Sequence, residues 1–222
     1  MDTKKVKFLY QRTFRRQGLY GFLSKLAPDA SILDVGCGND SSFNIKSCHP
    51  GFIYTGIDIG DYNQTKPRLA DNYLLTTPED FAGTITGLPA SFDAVVSSHN
   101  LEHCNDRDKT LKAMLKVIKP SGRLYLSFPC EASVGFPSRK RTLNYFDDQT
   151  HKGTPPKFDD VLRDIRDSGF EIERSIKRYR PTALRVIGLL QEPIARYRND
   201  IMQGTWALYG FESIIWARKR AD

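Results

Sequence analysis

The run Ile32-Leu33-Asp34-Val35-Gly36-Cys37-Gly38-Asn39 sets two glycines directly behind a β-rich stretch. Glycines there let backbone approach a ligand closely, and a following helix offers free N–H groups. A nicotinamide dinucleotide fingerprint wants a third glycine where this chain has Ser41. Asp34 is an acid that the dinucleotide pattern does not call for, and by Coulomb attraction it favours a cationic ligand such as a sulfonium. Asp58 closes the next β-rich run, 20 residues after Gly38, where a carboxylate can accept both hydroxyls of a ribose. Ile59 beside it can pack on a base.

Histidines are the other chemical signal. His99, Glu102 and His103 form H-x-x-E-H, a metal-ligand spacing when it lies on a helix. Here the motif starts at a strand exit, which argues against a zinc peptidase, and no metal is assigned. A histidine suits removal of a proton from a hydroxyl. His99 is the first candidate base because its strand-end position faces the glycine turn. His151, in Asp147-Asp148-Gln149-Thr150-His151-Lys152, is the second, on a loop able to close over a ligand. Ser138-Arg139-Lys140-Arg141 and Tyr145 on that loop suit a phosphate-bearing or sugar ligand.

These residues need a scaffold, and the order of elements supplies one. Leu19, Phe22, Leu23 and Leu26 follow helical spacing up to Pro28. Short strands are expected at 31–35, 52–57, 73–77, 92–98 and 123–128. Between them, helices carry Phe81, Ile85 and Leu88, then Leu111, Leu115 and Ile118, the latter stopped by Lys119-Pro120-Ser121-Gly122. Residues 129–156 show no periodicity. A helix with Phe158, Val161, Leu162 and Ile165 ends at Gly169 in the C′ position. Residues 170–179 and 206–217 read as the last strands, with a helix and a loop over 181–204. Alternation of this kind implies an α/β fold with a Rossmann-like, seven-stranded, mostly parallel sheet and helices on both faces.

From Ile32 to Glu131 the chain resembles class I S-adenosylmethionine-dependent methyltransferases, especially the branch acting on quinone precursors and other small molecules. Asp34-x-Gly36-x-Gly38, then Phe92-Asp93-Ala94-Val95-Val96-Ser97-Ser98 with Leu101-Glu102-His103, then Leu115-Lys116-x-x-Lys119-Pro120-x-Gly122 carry that resemblance in order. The resemblance implies an antiparallel last strand and S-adenosyl-L-methionine as cofactor. It places Asp34, Gly36, Cys37 and Gly38 at the methionine end, Asp58 and Ile59 at the nucleoside, and Ser98 and His99 near the reactive methyl. For the adenine it points to Asp80 and Phe81, with Glu79 as the alternative. The loop and the closing Gly204-Thr205-Trp206 with Tyr209-Gly210-Phe211-Glu212 also faintly resemble methyltransferases of surface-polysaccharide pathways.

Length and charge bound the rest. A chain of 222 residues suits one domain, 1–222, with a helical segment at 1–28 and substrate-cap insertions at 129–156 and 181–204. Cys37, Cys48, Cys104 and Cys130 show no C-x-x-C spacing, and Met1 to Lys7 is not followed by an apolar signal region, so a cytoplasmic protein with reduced thiols is expected. The net charge of +7 gathers at Lys4, Lys5, Lys7, Arg12, Arg15 and Arg16, at 139–141, at Lys177-Arg178 and at Arg218-Lys219-Arg220. Such a field favours phosphorylated metabolites, nucleic acid or a membrane surface. The expected activity is methyl transfer to a small, anionic acceptor, as O-methylation of a sugar or a phosphorylated intermediate. The alternatives are an RNA or protein methyltransferase and a non-catalytic cofactor binder.

Overall fold

The computed structural model describes residues 16–61 and 65–221; the basic residues Lys4, Lys5, Lys7, Arg12 and Arg15, and most of the 1–28 segment, lie outside the described residues. The sheet consists of β1 (Ser31–Val35), β2 (Ile53–Asp58), β3 (Asn72–Leu75), β4 (Phe92–Ser98), β5 (Ile118–Pro129), β6 (Phe170–Ile176) and β7 (Glu212–Lys219). Its strand order is β3-β2-β1-β4-β5-β7-β6. The first five strands run parallel, and β7 inserts antiparallel between β5 and β6. The helices are α1 (Leu19–Leu23), α2 (Ser41–Lys46), α3 (Phe81–Thr86), α4 (Arg107–Lys116), α5 (Phe158–Asp167), α6 (Thr182–Arg198) and α7 (Thr205–Tyr209).

The central strands are apolar at successive positions because both faces are covered. Leu33, Val95, Leu124, Leu126 and Ile215 pack on one face with Ile85 of α3, Met114 of α4 and Ile165 of α5. Their neighbours in sequence, Ile32, Ala94, Val96, Tyr125, Ile214 and Trp216, turn to the other face. There Phe22 of α1 sets its ring 5.6 Å from both Tyr125 and Trp216. The order reverses between β1 and β4, and the crevice at the carboxyl ends of those strands is where an open α/β sheet binds its ligand.

Two expectations need correction. Ile118 is not the last turn of a helix. α4 ends at Lys116, and Ile118 starts β5 by pairing with Phe92, while Arg123 pairs with Ala94. Lys119 to Gly122 therefore bulge out of the strand, with Ser121 at a φ of 62°, rather than standing between helix and strand. Residues 206–209 are not strand either. They form α7, whose end is set by Gly210 in the left-handed region, and β7 starts only at Glu212. Aromatic Trp206 and Tyr209 suit strands by propensity, but the glycine cap decides the local conformation. At the other strand ends, expected and observed bounds differ by at most three residues, and Gly169 does follow α5 with a φ of 85°.

Candidate active site

The glycine turn is built for a close approach. Gly36 has a φ of 71°, and a Cβ on it would fall 2.3 Å from the Asn100 side chain. Gly38 has a φ of 54°, and a Cβ there would meet nothing within 4 Å, so the backbone faces open space. Three bonds tie the turn to β2: the Gly36 and Cys37 N–H groups donate to the Ile57 carbonyl at 2.9 and 3.3 Å, and Gly38 N–H donates to Asp58 Oδ2 at 2.6 Å. The other Asp58 oxygen accepts from the Ile59 N–H at 2.7 Å. A cavity of about 920 Å³ opens here, walled by Gly36, Gly38, Asp58, Ile59, Phe81 and His99.

Other expected residues serve this cavity from outside its wall. Asp34 is buried behind the turn, where its Oδ2 accepts from Ser41 Oγ at 2.5 Å and from Tyr54 OH at 2.6 Å. Burial raises its pKa to about 6, against the lowering effect of those two hydroxyls and with a further push from Asp58. Cys37 is buried, its sulfur packed on the backbone of β2 at Gly56. Ser98 lies at the end of β4 with its hydroxyl 3.2 Å from that of Ser127. Asp80 N-caps α3 and faces Thr77, while Glu79 stands in the cavity wall. The alternative acid is thus the one the structure brings to the cavity.

His99 leaves β4 at a φ of 51°, a strained value for a side-chain-bearing residue, held by its N–H on the Ser127 carbonyl at 2.9 Å. Its Nδ1 is 3.1 Å from Glu102 Oε1 and its Nε2 is 3.1 Å from Glu212 Oε1. Carboxylates accept, so both ring nitrogens donate. Burial disfavours the charge, but bonds to Glu102 and Glu212 outweigh it and raise the pKa to about 10. The ring is an imidazolium fixed between two acids, packed beside Trp206 and Phe211.

His151 stacks on Tyr145 and lies outside the cavity wall, although Gln149, Thr150 and Lys152 line it. Its Nδ1 donates to the Tyr145 carbonyl at 2.6 Å, which leaves Nε2 with a lone pair when the ring is neutral. His103 does line the cavity and was not singled out as a base from sequence. Thr150 Oγ1 donates to Asp148 Oδ1 at 2.6 Å and so accepts from His103 Nδ1 at 2.9 Å, again leaving a free Nε2. The signal was present in H-x-x-E-H, but its partner Thr150 is 47 residues away in sequence. Glu102, His103 and His151 each bring one ligand-capable atom to within 4.8 Å of the others.

A second cavity, of about 670 Å³, is lined by Arg141, Tyr179, Leu184, Arg198, Trp206 and Glu212, among others. The His99–Glu212 bond joins the walls of the two cavities. The 129–156 loop reaches this region through Arg139, which is buried against Glu192 of α6 at 2.7 Å, and through Arg141, 2.8 Å from Asp200. Both guanidiniums thus already have partners, and Tyr145 is fully buried.

Residues 33–126 match a family described as a methyltransferase domain. The chain is 33% identical over 106 residues to a ubiquinone biosynthesis O-methyltransferase of Saccharophagus degradans, covering 45% of this chain and 43% of that protein. It is 34% identical over 115 residues to a 2-methyl-6-phytyl-1,4-hydroquinone methyltransferase of Synechocystis, covering 49% and 35%. The chain thus spans less than half the length of these relatives. Solved structures extend the likeness in fold. An S-adenosylmethionine-dependent methyltransferase from Mesorhizobium loti superposes with a TM-score of 0.60 at 16% identity, covering 90% of this chain and 97% of that one. A phosphoethanolamine-type N-methyltransferase of Haemonchus contortus, solved with phosphomonomethylethanolamine and S-adenosylhomocysteine, gives 0.59 at 15% identity, covering 98% and 58%. Residues 33–126, from β1 into β5, thus match a methyltransferase domain, and the full seven-stranded sheet has the fold of solved S-adenosylmethionine-dependent methyltransferases.

Proposed function

We propose that this chain transfers a methyl group from S-adenosylmethionine to a hydroxyl of a small acceptor. The observation that carries this reading is the junction of two cavities at the His99–Glu212 pair. Gly36, Gly38, Asp58, Ile59 and Phe81, with Glu79, suit the nucleoside and methionine parts of the cofactor. Asp34 and Cys37 hold the turn from behind, and Ser98 and Asp80 brace the ends of β4 and α3. When bound, S-adenosylmethionine supplies a methyl group already activated on a sulfonium. The chain's own contribution is orientation and exclusion of water.

The acceptor enters from the second cavity, capped by 129–156 and 181–204. Those two segments are joined by the Arg139–Glu192 ion pair and by a backbone β-bridge between Lys140 and Asp200. His99, charged on both sides, acts as a fixed cation that orients Glu212 toward the acceptor. The proton of the acceptor hydroxyl goes to the lone pair on His103, in the wall of the first cavity, with the His151 ring 4.8 Å behind it. Arg198, with Trp206 and Tyr179, favours a ring-bearing, anionic acceptor such as a phosphorylated intermediate or a sugar. The quinone-pathway names of the relatives favour a phenol. Four free cysteines fit a cytoplasmic setting.

Radiolabelled methyl transfer to catechols, sugar phosphates and bulk RNA tests the reading. Label should enter a hydroxylated small molecule, and H103Q should slow transfer while leaving S-adenosylhomocysteine binding intact. Label entering RNA alone would replace the proposal with the nucleic-acid reading, as the net charge of +7 would allow. Tight cofactor binding with no label in any acceptor would support the non-catalytic alternative.

A further inference from the structure

α6 is apolar on the side that faces water. Its buried face is made of Leu184, Gly188 and Ala195. Val186, Leu189, Leu190, Ile194 and Tyr197 are exposed instead, Leu190 by 74% and Tyr197 by 91%. At 3.6 residues per turn these five fall within an arc of about 140°, opposite the buried residues. Scattered exposed apolar side chains need no explanation, but a continuous stripe along one helix does.

The flanks of the stripe are basic. Arg185 and Arg196 border one side and Arg198 the other, all exposed. Thr182–Arg198 contains one acid, Glu192, and it accepts from Arg139 at 2.7 Å and from Tyr209 OH at 2.7 Å. α6 itself thus supplies no carboxylate to offset its arginines on the solvent side. An apolar stripe with cationic borders and an aromatic near its end is the design of a helix lying in a bilayer interface. Pairing of α6 with a second copy would bring arginine flank against arginine flank, so self-association fits the charge poorly.

We propose that α6 is an interfacial docking helix that seats the protein on an anionic lipid surface. The apolar stripe enters the headgroup–acyl boundary, and Arg185 and Arg196 meet lipid phosphates. The helix is a rigid platform for this, because Gly188 and Gly204 let it pack directly on α7. Its opposite side lines the second cavity through Leu184, Gln191 and Ala195, so docking would set that cavity close to the membrane plane. The inference stands independently of the methyl-transfer reading.

Vesicle flotation tests it, with the whole chain and vesicles of phosphatidylcholine alone or with phosphatidylglycerol added. The protein should float with anionic vesicles, less at high salt, and weakly with phosphatidylcholine alone. L189E/L190E should lose at least about ten-fold in vesicle affinity, and R185Q/R196Q should lose the salt dependence. Both variants should still bind S-adenosylhomocysteine in solution, which separates loss of docking from loss of the fold or of the cofactor site. Absence of flotation, or flotation unchanged in L189E/L190E, would overturn the inference. So would a wild-type dimer in analytical ultracentrifugation that becomes monomeric in L189E/L190E while ignoring vesicles, or RNA retention lost in R185Q/R196Q with vesicles ignored.

Discussion

Asp58 shapes the turn through Gly38 and also faces the cavity, so its replacement acts twice. D58A should weaken S-adenosylhomocysteine binding by at least about a hundred-fold, since losing a charged hydrogen-bond partner costs about 1.5–3 kcal/mol and the turn is released as well. A titration showing wild-type affinity in D58A would remove Asp58 from the site. Asp34 makes a prediction of a different kind. Its folded pKa of about 6 stands above the ordinary 3.8, so the folded protein holds this proton more tightly than the unfolded chain. The linked destabilisation is absent below pH 4, grows as pH rises toward 6 and is complete above it. At about 1.4 kcal/mol per pH unit it reaches about 3 kcal/mol. D34N, which keeps an acceptor for Ser41 and Tyr54, should melt several degrees higher than wild type at pH 8. The advantage should vanish near pH 4. Equal melting temperatures at both pH values would show that the carboxylate is not strained by burial.

Among the elements, α6 and α7 depend on small residues. A Cβ on Gly188 would come 2.2 Å from the Gly204 carbonyl oxygen, a contact that only backbone movement relieves. G188A should therefore cost about 1–3 kcal/mol, read as a lower melting temperature. An unchanged melting temperature would mean that the two helices separate freely. This packing was not legible in the sequence, because two glycines 16 residues apart give no signal of contact. The β1–β4 half was legible for the opposite reason: its signals are local. Strand, glycine turn and terminal acid follow one another within a single βαβ unit, and Ser31–Val35 and Phe92–Ser98 have the bounds expected. His99 was legible as a candidate beside the glycine turn, and it does line the cavity, but its partners were not legible. Glu212 lies 113 residues away, and only the insertion of β7 beside β5 brings it to the imidazole. The loop of 129–156 gave no periodicity because side chains, not a regular ladder, organise it. Asp147 alone accepts from the backbone of Arg139, Leu143 and Asn144.

Across the whole molecule, the sheet brings the glycine turn, Asp58 and the histidine cluster to one edge, and the segments after β5 and β6 roof that edge. The glycine turn, Asp58 and His99 lie within residues 33–126, the stretch matched by the methyltransferase domain, and in the proposed function acceptor choice falls to the segments outside it. Chimeric exchange of the roof would then alter acceptor preference without altering cofactor affinity. Among the described residues no helix is long and apolar enough to cross a membrane. All of these readings require that the cavity beside Gly36, Gly38 and Asp58 accept a sulfonium nucleoside. Calorimetric titration of the whole chain with S-adenosylmethionine, and in parallel with nicotinamide adenine dinucleotide, measures this directly. Saturable heat at a single site is expected for the first and none for the second. Saturation by the dinucleotide, with no heat from S-adenosylmethionine, would contradict it.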